Sequence, residues 1–133
     1  MTVIVRQPAP PLDGLVRAIS YQWGEQPQTS VEKILPGPVA SLWVNLNRDR
    51  FRSLSGTGRV RQVSGAMLAG PTSRACVIEF EEGRAHVSVV FNLGAACRFF
   101  AQPLALVADE QVALEDVWGR AGAILRERLL EAA

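Results

Sequence analysis

The chain has 133 residues, of which 48% are hydrophobic, and its 14 basic and 13 acidic side chains leave a net charge of +1. That length supports one hydrophobic core and is too short for two ordinary domains. The near-zero charge provides no surplus of cations to neutralise a phosphate backbone, so we expect no nucleic-acid binding by this chain alone.

The cysteines and the apolar runs indicate the cellular compartment of the protein. Cys76 and Cys97 lie far apart within apolar stretches, and no basic start followed by an apolar run resembles a signal peptide. No run approaches the roughly 18 apolar residues of a membrane span. We therefore expect a cytoplasmic protein with two reduced core thiols and no membrane contact.

The first half of the chain has the pattern of β-strands. Three prolines among the first twelve residues prevent a regular helix and indicate an extended arm. Residues 15–23 fit neither period well, and a strand is favoured over a short helix. The segment "VASLWVNLN" after the Pro-Gly-Pro turn alternates as a strand does. One face carries Leu42 and Val44, and the other carries Ser41, Trp43 and Asn45.

The middle of the chain predicts further strands around a polar segment. Residues 48–61 are rich in glycine and arginine, with Asp49 interleaved, and predict a solvated hairpin or loop rather than an anion site. The arginines are Arg48, Arg50, Arg52, Arg59 and Arg61. The following stretch, "AMLAGPTSRACVIEFEEGRAHVSVVFN", predicts three short strands separated by turns at "GPTSR" and "EEGR".

The apolar period changes after Gly94 to that of a helix. Spacings of three and four residues relate Leu114, Val117, Trp118, Ala121, Ile124, Leu125 and Leu129. Strands first and helices last indicate a single α+β domain with a curled sheet or barrel covered by C-terminal helices. The β-rich part spans about residues 1–94 and the helical appendage about residues 95–133.

Side chains suited to catalysis or metal binding are scarce. His86 is the single histidine, whereas a divalent metal site of the cupin type needs two or three imidazoles and a carboxylate. Neither "SGTGR" nor "QVSGA" supplies a nucleophile elbow, and their glycines suit turns. We therefore expect no metal, no cofactor and no enzymatic activity. His86 itself is expected to be a half-exposed strand-end residue beside Arg84, with a ligand hydrogen bond as the alternative.

Three segments resemble the N-terminal domain of AraC-like transcriptional regulators. "VVFNLGAACRFFAQPLALVADEQVALEDVWG" is similar to its last strand, corner and acidic helix start. "ILPGPVASLWVNL" and "LAGPTSRACVIEFEEG" resemble an earlier strand and a strand pair of the same domain. The resemblance extends from about Pro11 to the C-terminus. It departs at the corner, where Leu93 replaces a proline and Val90 and Asn92 replace arginines, so no anion-binding role is carried over.

The resemblance implies a mainly antiparallel, cupin-like β-barrel that senses a small-molecule effector, dimerises, or does both. In such regulators a second domain with two helix-turn-helix units binds DNA, and that domain is absent from this sequence. The same likeness makes the "NLG" junction at Asn92–Gly94 an architectural corner, with Phe91 packed inward and Phe99 and Phe100 docking the following helix.

The candidate functional residues follow from the strand faces and the helix pattern. The predicted ligand-binding residues are Ser41, Trp43, Asn45, His86 and Ser88. The predicted homodimer contact is formed by Trp118, Ile124, Leu125 and Leu129, and packing of all four against the barrel is the equal alternative. Two other functions compete with this one. The first is a metal-free isomerase or lyase, and the second is a small-molecule-binding protein that pairs with a separate DNA-binding chain.

Overall fold

Strands dominate the fold, and the α-helices come last. The computed structural model describes residues 2–25, 29–54, 60–81, 83–101 and 103–132. Its strands are β1 (Thr2–Arg6), β2 (Val16–Trp23), β3 (Ser30–Ile34), β4 (Ser41–Asn45), β5 (Arg50–Leu54), β6 (Val60–Ser64), β7 (Ala66–Ala69), β8 (Cys76–Phe80), β9 (Ala85–Phe91) and β10 (Gln111–Ala113). Two helices follow, α1 (Leu114–Trp118) and α2 (Arg120–Ala132). Short 3-10 turns lie at Leu12–Gly14, Ala95–Arg98 and Leu104–Val107.

The strands form two antiparallel sheets. The large sheet has the order β1-β2-β9-β4-β7-β10, and the small sheet has the order β3-β8-β5-β6. Ladders pair β2 with β9, β3 with β8, β4 with β7 and β5 with β6. The chain from β2 to β9 is therefore a long two-stranded ribbon whose successive sections lie in alternate sheets, which is a double-sheet jelly-roll arrangement.

The α+β class expected from the order of elements is confirmed. The expected closed barrel is not what the described strands form, because no ladder joins an edge of one sheet to the other sheet. The two sheets instead pack face to face as a sandwich, and the C-terminal segment covers the opposite face of the large sheet.

Strand β4 shows how one sequence pattern supplies two cores. Its Trp43 packs between the sheets with Phe51 and Phe80. Its Leu42 and Val44 point the other way, into a core closed by the C-terminal segment. Both faces of this strand are buried, which explains its nearly continuous apolar composition.

Helix α2 is held to the end of β4 by hydrogen bonds and to α1 by a close backbone contact. The Arg126 guanidinium of α2 donates to the carbonyl oxygens of Asn45 and Arg48, each at 2.9 Å. A Cβ on Gly122 would lie 2.7 Å from the Leu114 carbonyl carbon, so only glycine allows α1 and α2 to approach this closely.

The corner after β9 forms at Gly94 as predicted, but Phe91 packs on the face of the large sheet that points away from the small sheet. Gly94 has a φ of 74° and begins the 3-10 turn at Ala95–Arg98. Phe91 is buried, and its ring centroid lies 5.1 Å from that of Phe99 and 5.9 Å from that of Phe100. The aromatic cluster belongs to the core on the helix side of the sheet.

The N-terminal arm is extended, as expected, and forms an edge strand, β1, paired along its length with β2. Two other local expectations were wrong. The segment after Gly94 contains two 3-10 turns and strand β10 before any α-helix. Strand β10 pairs with β7 at the edge of the large sheet, so the α-helices begin only after it. Cys97 is exposed instead of lying in the core, and Cys76 is half-buried; both are free thiols.

The arginine-rich segment contributes to an antiparallel strand pair, β5 with β6, which agrees with the hairpin among the two predicted alternatives. Arg50 and Arg52 lie in β5, which pairs with both β6 and β8. Glu81 forms ion pairs with Arg48 at 2.7 Å and Arg50 at 3.1 Å, and Glu79 pairs with Arg52 at 3.0 Å. Arg59, the other residues of the predicted turn at 55–59, and Glu82 lie outside the described residues.

Candidate functional site

The five predicted ligand-binding residues lie on one face of the large sheet. In the antiparallel ladder between β4 and β9, Trp43 is opposite Ser88 and Asn45 is opposite His86. Opposite residues share a face, and Ser41 follows from the alternation along β4. Because Trp43 belongs to the core between the sheets, this face is the interior of the sandwich.

His86 is completely buried, which overturns the expectation of a half-exposed strand end. Its imidazole is stacked between two aromatic rings from opposite sheets. The ring centroid lies 5.4 Å from that of Trp43 and 4.7 Å from that of Phe80. Alternation predicts that His86 shares a face with Ser88 but does not reveal that β8 covers that face.

Arg84 fixes the position of the buried imidazole. Its Nε donates to His86 Nδ1 at 3.4 Å, and its guanidinium carbon lies 3.8 Å from the Phe80 ring centroid. The same guanidinium donates to Gln22 at 3.1 Å and forms an ion pair with Glu32. This buried arginine thereby connects β2, β3 and β9 at one end of the sandwich.

The imidazole is neutral at physiological pH. Burial, together with the nearby Arg84 charge, lowers the pKa of His86 from 6.5 to about 4. Since Nδ1 accepts from Arg84, the proton resides on Nε2, and no described residue accepts a hydrogen bond from it. Its carboxylate neighbour Glu32 bonds to Arg84 instead, so His86 has no direct acid–base partner among the described residues.

Asn45 and Ser88 are engaged in bonds that hold the framework. Asn45 Oδ1 accepts from the backbone amides of Asn47 and Arg48, each at 2.9 Å, and its Nδ2 donates to the Arg50 carbonyl at 2.9 Å. The Ser88 hydroxyl lies 2.5 Å from that of Ser20. The Asn45 side chain stabilises the β4–β5 connection, and the Ser88 side chain stabilises the pairing of β2 with β9.

A pocket of about 200 Å³ opens between the sheets at the other end of this interior face. We call it the inter-sheet pocket. Two of the five predicted residues, Ser41 and Trp43, line it, whereas Asn45, His86 and Ser88 do not. The wall is mostly apolar and includes Ile34, Val39, Met67, Ala69, Ile78 and Val90.

The polar groups of the pocket are few and uncharged. Trp43 Nε1 donates to Ser41 Oγ at 2.8 Å, which orients the indole and leaves the Ser41 hydroxyl proton available. Gln111 Nε2 donates to Cys76 Sγ at 3.4 Å. Burial raises the pKa of the Cys76 thiol, so it stays protonated at neutral pH.

The rim of the pocket is built from three chain segments bound to one another. Gly37 and Thr72 exchange backbone hydrogen bonds of 3.0 and 2.9 Å. Asp109 accepts from the Ser73 amide at 2.6 Å and from its hydroxyl at 2.7 Å, and these bonds lower the pKa of the Asp109 carboxyl. The rim is therefore a defined structure, although neither its segments nor their contacts are evident from the sequence pattern.

A second apolar concavity lies along α2. This surface, the helix groove, is lined by Trp118, Ala121, Ile124, Leu125, Arg128 and Leu129. All four residues of the predicted dimer contact are among them. Leu125 and Leu129 also pack against the core, and Trp118 is fixed within the domain by a 2.7 Å hydrogen bond from Nε1 to the Phe99 carbonyl. Ile124 remains 39% exposed.

The described residues contain neither a cluster of metal ligands nor a helix that could span a membrane. They contain no group of three or more His, Cys, Asp or Glu side chains placed to hold a metal ion. None of the helices described is long and apolar enough to cross a membrane.

Comparison with family models gives a match over most of the chain. The model of a family described as a domain of unknown function, DUF6597, matches residues 5–113, which include the small sheet, the large sheet apart from the first residues of β1, and the inter-sheet pocket. No curated protein and no solved structure matches the chain.

Proposed function

The chain belongs to the DUF6597 family, and we propose that it serves as the regulatory domain of an AraC-like transcription regulator. In this proposal the domain senses a small effector, dimerises, and acts in the cytoplasm. A separate helix-turn-helix domain would bind DNA, because a net charge of +1 gives this chain no electrostatic basis for doing so. The jelly-roll order of the strands supports a cupin-like relationship, since cupins share that architecture.

The observation that carries the proposal is the direct connection between the inter-sheet pocket and the helix groove. Gln111 lines the pocket and is the first residue of β10. Strand β10 ends at Ala113, and α1 begins at the next residue and ends at Trp118, which lines the groove. An effector that contacts Gln111 would therefore act on the segment that positions the groove.

Such coupling needs different effector affinities for two arrangements of β10 and α1. This coupling also accounts for Gln111, a polar residue in the edge strand of the large sheet that lines the pocket. A metal-free isomerase or lyase would instead need an acid–base pair at the pocket. The described pocket residues include neither a carboxylate nor a histidine.

Dimerisation through the helix groove is tested by sedimentation equilibrium at micromolar concentration. We expect the wild-type chain to dimerise and Ile124→Asp to be monomeric, because the aspartate would bury a charge in the contact. Leu130→Asp is the matched control, since Leu130 lies on the same helix at 38% exposure and does not line the groove. A monomeric wild-type chain, or equal weakening by both variants, would contradict this interface.

A further inference from the structure

We propose that the inter-sheet pocket binds an uncharged molecule of about one aromatic ring, packed on Trp43 and hydrogen-bonded by Ser41 and Gln111. This inference rests on the proposed effector-sensing function and specifies the chemical class of the effector. It follows from the volume of the pocket, the charge of its lining and the unused hydrogen-bonding capacity of its polar groups.

The volume sets the size of the ligand. A buried apolar cavity of about 150 Å³ in another protein admits benzene. The 200 Å³ available here therefore accommodates a single ring with one short substituent and is too small to enclose two linked rings. The flat indole of Trp43 supplies an aromatic surface for offset stacking with such a ring.

The lining sets the charge. None of the residues that line the pocket carries an ionised side chain, given that Cys76 remains a thiol. Moving a carboxylate or ammonium group into this site would remove its hydration without providing a counter-charge. The acidic side chain of Asp109 in the rim is already bonded to Ser73 and does not line the pocket.

Two polar groups set the orientation. The Ser41 oxygen accepts from Trp43, so its hydroxyl proton can be donated to a ligand. The Gln111 amide donates to Cys76 through Nε2, which leaves Oε1 as an acceptor. Ser41 and Gln111 both pair with Ala69 of β7, one from each side, so they flank the same part of the wall. A hydroxyl or primary amide substituent can satisfy both groups at once.

The experiment uses the full chain with Cys97→Ser, which leaves Cys76 as the single thiol. Phenol, benzyl alcohol and benzamide are the neutral probes; benzoate and benzylammonium are their charged counterparts, and 4-phenylphenol tests the size limit. Alkylation of Cys76 measures occupancy, because a ligand at ten times its dissociation constant leaves about one pocket in eleven free and slows modification about tenfold.

We expect at least one neutral single-ring probe to protect Cys76 and to raise the melting temperature, while the charged and two-ring probes do neither. Ala69→Leu fills the pocket and should abolish the rise in melting temperature, whereas Ala105→Leu, at an exposed site, should not. Protection of Cys76 does not depend on either variant, so the test stands even if Ala69→Leu folds poorly.

Stronger protection by benzoate or benzylammonium would overturn the ligand class and leave effector sensing intact. If no probe protects Cys76, the proposed ligand class is overturned as well. The sedimentation measurement separates this failure from failure of the proposed function, since a groove-mediated dimer that binds no neutral ring retains its dimerisation role.

Discussion

The imidazole of His86 lies nearly parallel to the indole of Trp43, with ring centroids 5.4 Å apart and an angle of 13° between the planes. Phe80 covers the other side of the imidazole, and Arg84 donates to its Nδ1. This stack orients Trp43, whose indole also lines the inter-sheet pocket. The buried histidine is therefore connected to the pocket through an aromatic ring rather than by direct contact.

The first prediction concerns pH. The pKa of His86 is about 4 in the folded chain and about 6.5 when unfolded, so the unfolded state binds more protons between these values. Stability should therefore rise with pH across this window, by about 2 kcal/mol between pH 5 and pH 7. Urea unfolding at both pH values measures it.

His86→Phe provides the control for this pH dependence, because it keeps an aromatic ring in the stack and removes the titrating group. We expect its stability to change little between pH 5 and pH 7. Glu81, whose pKa is lowered by hydrogen bonding from Arg48, contributes stability that is lost only at lower pH, as pH falls from about 4.5 through its folded value. Equal pH dependence in both proteins would show that His86 is not the responsible group.

The second prediction concerns the buried Arg84. Glu32→Gln leaves its guanidinium, which is 6% exposed, without an ionic partner among the described residues. We expect a loss of about 2 kcal/mol in the free energy of unfolding, somewhat less than for a fully buried pair because Glu32 is 35% exposed. Glu79→Gln is the matched control, since its partner Arg52 is 38% exposed, and it should cost less than about 1 kcal/mol. Similar losses in both variants would refute a special role for Arg84.

The third prediction concerns the rim of the pocket. A Cβ on Gly70 would lie 1.9 Å from the Val107 carbonyl oxygen, which is too close to be relieved without moving the backbone. Gly70→Ala should therefore destabilise the chain by about 3 kcal/mol or more and weaken binding of any pocket ligand. Gly14→Ala has open space around its Cβ and should change stability by less than about 1 kcal/mol. Thermal unfolding of both variants compares them, and equal melting temperatures would contradict the close packing.

The fourth prediction concerns the two thiols. Cys97 is exposed, whereas Cys76 is half-buried with a raised pKa. At neutral pH we expect a charged thiol reagent to modify Cys97 much faster, because the thiolate is the reactive form and access is greater. Single-cysteine variants made with Cys76→Ser and Cys97→Ser allow the two rates to be measured separately. Faster modification of Cys76 would contradict both the partial burial and the raised pKa of its thiol.

Much of the sheet architecture is predictable because its strands alternate. The pattern of β4 places Leu42 apart from Trp43, and the structure assigns these faces to the two cores. The same reasoning places His86 and Ser88 together on β9. What alternation leaves open is which face another sheet covers, and that depends on the pairing of β3 with β8, far apart in the chain.

The pocket itself is less predictable. Its wall combines β4 with Ile34, Thr72, Cys76 and Gln111, which no motif connects. Gln111 has no sequence signal at all, since it lies in a three-residue strand within a segment whose period indicates helix. The helix groove is easier to predict, because its residues recur at helical spacing along a single element.

The dimerisation constant of the chain, measured with the pocket empty and then saturated by the neutral probe that best protects Cys76, tests the central claim most directly. Coupling through Gln111, β10 and α1 predicts that occupancy changes this constant by about fivefold or more, and that Ala69→Leu removes the response. A dimerisation constant that is the same with the pocket empty and full would contradict the account.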